Sequence, residues 1–218
     1  MIEFQNVSKY YRTPTSRKVV LDRLSLVLPN GAKVGVLGRN GAGKSTLLGM
    51  ISGTVRPDAG RIRRYASISW PLGFGGSFNP DLTGTQNVRF VARIYGMDTD
   101  AMIAYVDDFA ELGEFMDMPV RSYSSGMKAR LAFGMSMGIS FDWYLVDEIT
   151  AVGDSRFRKK SLAVFRNRLA EAGLLMVSHS LETLRSYCTA GLVLEDGKAV
   201  YYDTIRAAIA RHERNMRA

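Results

Sequence analysis

The sequence predicts an α/β core interrupted by a helical insert, on three observations. Short apolar runs, "KVGVLG", "FDWYLVDE" and "LLMVSHS", alternate with amphipathic stretches, as buried strands alternate with helices. A glycine-rich turn joins the first of these runs directly to a helical pattern. From Leu82 to about Asp117 the chain reads as helix without an intervening strand run.

In chain order, "IEFQNVSKYY" and "VVLDRLSLVLPNG" read as strands, the second closed by a turn after Pro29 and Gly31. "KVGVLG" is a short buried strand, and "KSTLLGMISG" is a helix stopped at Gly53. "PDAG" is a turn before a strand over "RIRRYASISW". "GTQNVRFVARIYG" and "DTDAMIAYVDDFAELG" are helical, and another helix begins at Ser124 or Ser125. "FDWYLVDE" is a buried strand ending in two acids, and "DSRFRKKSLAVFRNRLAEAG" is an amphipathic helix stopped by glycine. "LLMVSHS" is a strand, "LETLRSYC" a helix, and "GLVLEDGKAVYYD" a hairpin around Asp196 and Gly197. The last helix, "TIRAAIARHERNM", carries Ile205, Ile209, His212 and Met216 on one stripe.

Composition bounds the function. The chain has 218 residues, 46% of them hydrophobic, enough for a real core in one domain. Its one cysteine, Cys188, excludes a disulfide framework and fits a reducing compartment. The start "MIEFQNVSKY" has no apolar signal core. The longest uncharged run, Tyr65 to Pro80, is broken by Pro71, Gly73, Gly75 and Gly76, so no spanning helix is expected. The net charge of +8 suits a nucleic acid or an acidic membrane surface. Its densest cluster, Arg156, Arg158, Lys159, Lys160, Arg166 and Arg168, reads instead as the solvated face of one helix.

"GRNGAGKST" fits the phosphate-loop pattern G-x-x-x-x-G-K-[ST] in its required setting, after a strand and before a helix. Gly38, Gly41 and Gly43 let the backbone wrap tightly, so that N–H groups and the helix dipole meet a phosphate. Lys44 is placed to reach the β- and γ-phosphates, and the Ser45 hydroxyl to ligate Mg²⁺. The whole segment, Gly38, Arg39, Asn40, Gly41, Ala42, Gly43, Lys44, Ser45 and Thr46, is expected to bind ATP. "WYLVDE" delivers Asp147 to the Mg²⁺ shell and Glu148 to orient a water for attack on the γ-phosphate. His179, after "LLMVS", is placed to contact the γ-phosphate and that water; His212 reads as a packing residue. "YSSGMKARLAFG" puts Ser124, Ser125 and Gly126 before a helix, a second place where a helix N-terminus suits a phosphate.

Together these motifs resemble the ATP-binding subunit of ABC transporters along nearly the whole chain. The resemblance implies a P-loop NTPase core with a mixed, largely parallel sheet, an N-terminal antiparallel β sub-domain and a helical insert. One domain, 1–218, would divide into a nucleotide-binding core of residues 1–80 and 140–218 and a helical sub-domain of about 81–139. In the family the segment before the insert's last helix reads L-S-G-G-Q. Ser124 and Gly126 match it, and Ser125 and Met127 depart from it. The resemblance implies a head-to-tail homodimer in which Ser124, Ser125 and Gly126 close over the ATP of the other copy. It also implies that Tyr11, or its neighbour Tyr10, stacks on adenine, and that Asp154 lies across the dimer interface. A glutamine between core and insert is missing; Gln86 lies too far into its helix, and Trp70 to Phe78 is expected to couple by shape instead.

"SWPLGFGGSF", "DLTGTQNVRFVARIYG" and "DEITAVGDSRFRKK" narrow the resemblance to the polysaccharide-export branch, most like the capsular exporters of Gram-negative bacteria. O-antigen and teichoic-acid exporters are the alternative; O-antigen exporters often add a carbohydrate-binding domain, for which the chain past Glu148 has no room. The resemblance further implies an ATPase at the cytoplasmic face of the inner membrane. It would dock on an integral permease, often with a periplasm-spanning partner, without touching the polysaccharide itself. A soluble ABC ATPase acting on nucleic acid or ribosomes is a remote alternative, since such proteins usually carry two cassettes or a long coiled insert. A small-molecule kinase on the same loop gives no reason for Ser124 and Gly126.

Overall fold

A computed structural model of the chain describes all residues except 13, 15, 73–77, 148–154 and 218. Strands β1 (Ile2–Arg12) and β2 (Arg17–Leu28) pair antiparallel, from Ile2 opposite Leu28 to Arg12 opposite Arg17. Alternation sends Ile2 and Phe4 of β1 and Leu24 and Leu28 of β2 inward. The register shifts between Phe4 and Val7 and between Val7 and Lys9, near Asn6 and Arg23, which both take positive φ. β4 (Ala59–Arg64) adds to the other edge of β1, giving a three-stranded sheet in the order β2-β1-β4.

The second sheet has six strands in the order β5-β6-β7-β3-β8-β9. β3 (Lys33–Leu37) lies inside it, parallel to β7 (Gly173–Val177) and β8 (Ala190–Glu195). β6 (Trp143–Asp147) runs parallel to β7, and β9 (Lys198–Tyr202) returns antiparallel after the Asp196–Gly197 turn. β3, β6 and β7 are near-continuous apolar runs because both faces of these strands are covered. Leu47, Leu48, Met50 and Ile51 of helix α1 (Lys44–Ser52) join the core formed by Ile2, Phe4, Val34, Val36, Leu145 and Leu175. α1 ends at Gly53 in the left-handed region, and Arg64 donates to the last carbonyls, Met50 O and Ile51 O, both at 2.6 Å.

The stretch "RIRRYASISW" is not one strand. It divides into β4 and β5 (Ile68–Leu72), which belong to different sheets. The change of sheet is held by Tyr65 N–H donating to Met1 O, and by the Asp142 carboxylate, which accepts from Ser67 N–H at 2.7 Å and Ser67 Oγ at 2.8 Å. These hydrogen bonds favour the Asp142 carboxylate and hold its pKa below the usual value.

The chain separates into two compact units, Met1–Pro71 with Phe141–Glu148 and Glu171–Ala218, and Leu72–Ser140 with Ile149–Ala170. The second unit therefore holds helix α5 (Ser155–Arg168), whereas the sequence pattern places residues 140–218 in the core. Side chains explain the difference. Phe157 and Phe165 of α5 meet Phe109 of α3 (Thr99–Ala110) and Phe133 of α4 (Ser125–Gly138), at ring separations of 5.4 Å for Phe109–Phe157 and 6.5 Å for Phe133–Phe165. Lys160 donates to Asp108 O at 2.9 Å and Phe109 O at 3.2 Å, closing the end of α3, and Arg168 donates twice to Met137 O near the end of α4. α2 (Gly84–Ile94) begins with a reciprocal cap: Thr83 Oγ1 accepts from Gln86 N–H, and Gln86 Oε1 accepts from Thr83 N–H.

In the first unit, α6 (Leu181–Tyr187) and α7 (Ile205–Arg217) complete the chain. α7 lies close on the sheet because Gly191 presents no side chain; a Cβ there would stand 2.3 Å from Ala208 Cβ. Ile205 and Ile209 are buried, but Met216 is 52% exposed, so the expected apolar stripe stops short of the helix end. Burial beside Leu184 on α6 pushes the Cys188 thiol up to about 12, which keeps it protonated.

Phe109, 2% exposed, touches Tyr105, Phe133 and Phe157. Phe109→Ala is expected to cost about 3–5 kcal/mol, read as a lowered guanidinium midpoint for the helical unit.

Candidate functional site

The register of the six-stranded sheet levels the strand ends that carry chemistry. Val36 of β3 pairs with Val177 of β7, and Val177 pairs with Asp147 of β6. Gly38, Asp147 and His179 therefore leave neighbouring parallel strands at one edge, the carboxyl end, where such sheets bind ligands. His179 itself lies past the strand, which stops at Val177, in the turn before α6, and it is exposed.

The turn from β3 into α1 is shaped by close contact. Gly43 is the N-cap of α1 at φ 104°, and a Cβ there would stand 2.1 Å from Val20 Cγ1. Only glycine satisfies both the left-handed backbone and this approach of β2. The cap has no side-chain partner, so the first N–H groups of α1 stay open to an anion. Lys44 Nζ donates to Gly38 O at 2.8 Å and Arg39 O at 3.1 Å, folding the turn around its own ammonium.

Beside this turn is a cleft of about 670 Å³. It is lined by Asn40, Gly41, Gly43, Lys44, Ser45 and Thr46 of the turn, by Asp147 and His179 from the strand ends, and by Tyr11. The structure thus gathers most of the residues the sequence predicts for nucleotide. Tyr11 and Tyr10 part company here. Tyr11, 44% exposed, lines the cleft with its hydroxyl 3.5 Å from Thr46 Oγ1, while the ring of Tyr10 is covered by the Arg17 guanidinium at 3.6 Å. Ser45 and Asp147 offer a hydroxyl and a carboxylate, the hard oxygen donors that suit Mg²⁺ alongside phosphate and water oxygens.

Arg39 and Ala42 face a second cavity of about 340 Å³ on the outer side of the turn, with Glu195, His212 and Asn215. Gly38 lines neither cavity; its carbonyl serves Lys44, and a Cβ on it would meet Leu194 O at 2.7 Å. His212, read from the sequence as a packing residue, is half-buried and lines this outer cavity. Burial and the charge of Lys44 push its pKa below the ordinary value, which favours neutral imidazole. Sequence reasoning missed Lys18, Val20 and Val177, which also line the larger cleft. The available signal for Lys18 and Val20 was strand alternation, since residues two apart on β2 share a face with the pocket-lining Tyr11 opposite. Glu148 and Asp154 lie outside the described residues, as do residues 73–77 of the expected coupling segment. Trp70, at the start of that segment, stacks edge-on against Phe141 at 5.5 Å.

In the helical unit, Ser124 is the N-cap of α4; its hydroxyl accepts from Met127 N–H at 3.2 Å, and Ser125 opens the helix. The first turn contains no acid. A Cβ at Gly126 would find only Ser124 Oγ, 3.9 Å away, so the tip is open. Buried Tyr123 anchors it: its hydroxyl donates to Phe115 O, and Gly84 makes room for the ring, since a Cβ there would lie 2.5 Å from Tyr123 Oη. Gln86 is occupied in the Thr83 cap, as its position inside α2 implies.

A sequence model described as ABC transporter matches residues 21–151. The chain is 47% identical over 216 residues to the polysialic acid transport ATP-binding protein KpsT of Escherichia coli, covering 98% of this chain and 96% of that protein. It is 46% identical over 208 residues to the capsule polysaccharide export ATP-binding protein CtrD of Neisseria meningitidis serogroup B, covering 95% of this chain and 96% of that one. Among solved structures, the ATP-binding cassette MJ0796, in a dimeric post-hydrolysis state with ADP and Pi, aligns at TM-score 0.78 and 21% identity over 94% of this chain and 99% of its own, a likeness of fold.

Gly43→Ala is expected to weaken ATP binding by at least about tenfold, read by titration calorimetry, because left-handed strain and the clash with Val20 both disturb the turn. The far-ultraviolet circular dichroism should stay that of the parent.

Proposed function

The chain belongs to the ABC transporter family, and from that membership we propose that it is the ATP-hydrolysing subunit of a capsular polysaccharide exporter. The observation that carries this is kinship with capsule-export ATP-binding proteins along almost the full length of both partners, joined to a cleft whose lining suits a nucleoside triphosphate. The fold is that of ABC ATPase cassettes.

In this reading Tyr11 takes the adenine face, and the open N–H groups of the turn and α1 surround the β-phosphate. Lys44 exchanges its carbonyl partners for the β- and γ-phosphate oxygens. Ser45 and Asp147 would hold Mg²⁺, which would supply positive charge to offset that of the phosphates. Glu148 orients the water. Its oxygen bonds to the γ-phosphorus as the bond to the β–γ bridging oxygen breaks, giving ADP and phosphate, and the proton passes toward the carboxylate. His179 contacts the γ-phosphate from the turn after β7.

The open tip at Ser124, Ser125 and Gly126 closes over the ATP of a second copy, with Asp154 at the shared interface. Support comes from its exposure and from a first turn free of acid, which favours an incoming anion. Binding of ATP closes the homodimer and moves an integral inner-membrane permease; hydrolysis reopens it. The subunit works at the cytoplasmic face of that membrane, peripherally, with a periplasm-spanning partner completing the path. No helix among the described residues is long and apolar enough to cross a membrane. Nucleic acid is a poorer alternative, since the kinship is with capsule-export ATP-binding proteins, and part of the positive excess, Arg64, Lys160 and Arg168, closes the ends of helices.

Glu148→Gln should trap ATP in a closed dimer and lower turnover at least roughly a hundredfold, the loss expected for a water-orienting group. Size-exclusion chromatography with ATP and phosphate-release kinetics check it; parental turnover would remove Glu148 from the role.

A further inference from the structure

We propose that Lys18 is a further binding residue for the nucleotide, a cation that holds the polyphosphate chain together with Lys44 and the amino end of α1. The proposal rests on the cleft being the ATP site. Lys18 stands directly opposite Tyr11 across the β1–β2 pair, so the two side chains leave the sheet on one face. Val20, two residues on where the register shifts between Lys9 and Tyr10, lines the same cleft. The face is pressed on the phosphate turn at two points. Val20 Cγ1 lies 2.1 Å from where a Gly43 Cβ would be, and Lys18 Nζ lies 3.2 Å from where a Gly41 Cβ would be. Val20 thus stands against the end of the turn and the Lys18 ammonium against its middle, at Gly41.

The charge balance there points to an anion. Among the described residues no carboxylate forms an ion pair with Lys18. Of the two acids that line the outer cavity with Lys18, Glu195 and Asp196, Glu195 is engaged by Asn215 and lies 3.7 Å from Arg211. Lys18 instead shares the turn with Lys44 and the positive end of α1. Asp147 also lines the cleft, but two ammonium groups and the positive end of α1 outweigh its single charge, and a polyanion relieves their repulsion. Lys18 also lines the cavity on the outer side of the turn, so its flexible stem reaches the cleft from the edge without blocking it. The matching ligand class is nucleoside di- and triphosphates, with little gain for a monophosphate.

The test compares the full chain with Lys18→Met, Lys18→Arg and Lys44→Ala, measuring ATP, ADP and AMP binding by competition against a fluorescent ATP analogue. Lys18→Met is expected to weaken ATP and ADP about three- to tenfold, the range for an exposed charge-assisted contact. AMP should change by less than about twofold, and the salt dependence of ATP binding should become shallower. Lys18→Arg should restore most of the affinity. Thermal unfolding without nucleotide should not move, because Lys18 is exposed and unpaired with acid. Parental ATP affinity in Lys18→Met, or equal losses for AMP and ATP, would overturn the proposal. If Lys44→Ala loses ATP while Lys18→Met keeps it, the proposal alone fails; if Lys44→Ala binds ATP like the parent, the assignment of the cleft fails with it.

Discussion

The close approach of β2 to the turn between β3 and α1 is the constraint on which the site depends. At Gly43 there is no space for a Cβ beside Val20. That contact joins the three-stranded sheet to the strand-turn-helix of the six-stranded one, and it brings Tyr11 and Lys18 to the cleft along with Val20. A turn without β2 against it would still have its amides and Lys44. It would lack the wall formed by Tyr11 and Val20 and the nearby Lys18 ammonium. The Lys44 ammonium, bound to Gly38 O and Arg39 O, holds the same turn from within.

The helical unit is assembled on a different principle. Its helices meet through aromatic rings, with Phe109 at the centre, and are closed at their carboxyl ends by cations from α5. Lys160 ends α3 and Arg168 ends α4, each satisfying carbonyls that a helix terminus leaves open. The basic stretch on α5 is therefore in part structural. Tyr123 and Gly84 then hold the Ser124 tip in place by packing, while the tip itself presents hydroxyls and free N–H groups.

Strand and helix order was legible because the apolar runs and the stop signals at Gly53 and Gly197 are local. So was the phosphate turn, whose residue types reflect what the backbone must do around an anion. "RIRRYASISW" misled because a strand that changes sheets looks continuous in sequence; the hydrogen bonds that divide it come from Met1 and Asp142. The packing of α5 was not legible for the same reason, since its partners Phe109 and Phe133 are distant in sequence. Met216 matched the helical period of Ile205 and Ile209 but lies exposed on the last turn of α7.

By itself the sequence determined which chemistry-bearing patterns the chain carries: the glycine spacing, Lys44, Ser45, the carboxylates after "WYLV" and the serine-glycine helix start are all local patterns with local physical causes. Tertiary structure alone decided which of Tyr10 and Tyr11 meets the cleft: Tyr11, opposite Lys18, lines it, while Arg17 covers the ring of Tyr10. It also decided that Lys18 stands over the turn, that Arg39 and Ala42 face its far side, and that His212 comes near enough to feel Lys44. Those outcomes depend on register between strands and on the seating of α7, and a register is a relation between segments that neither segment encodes alone.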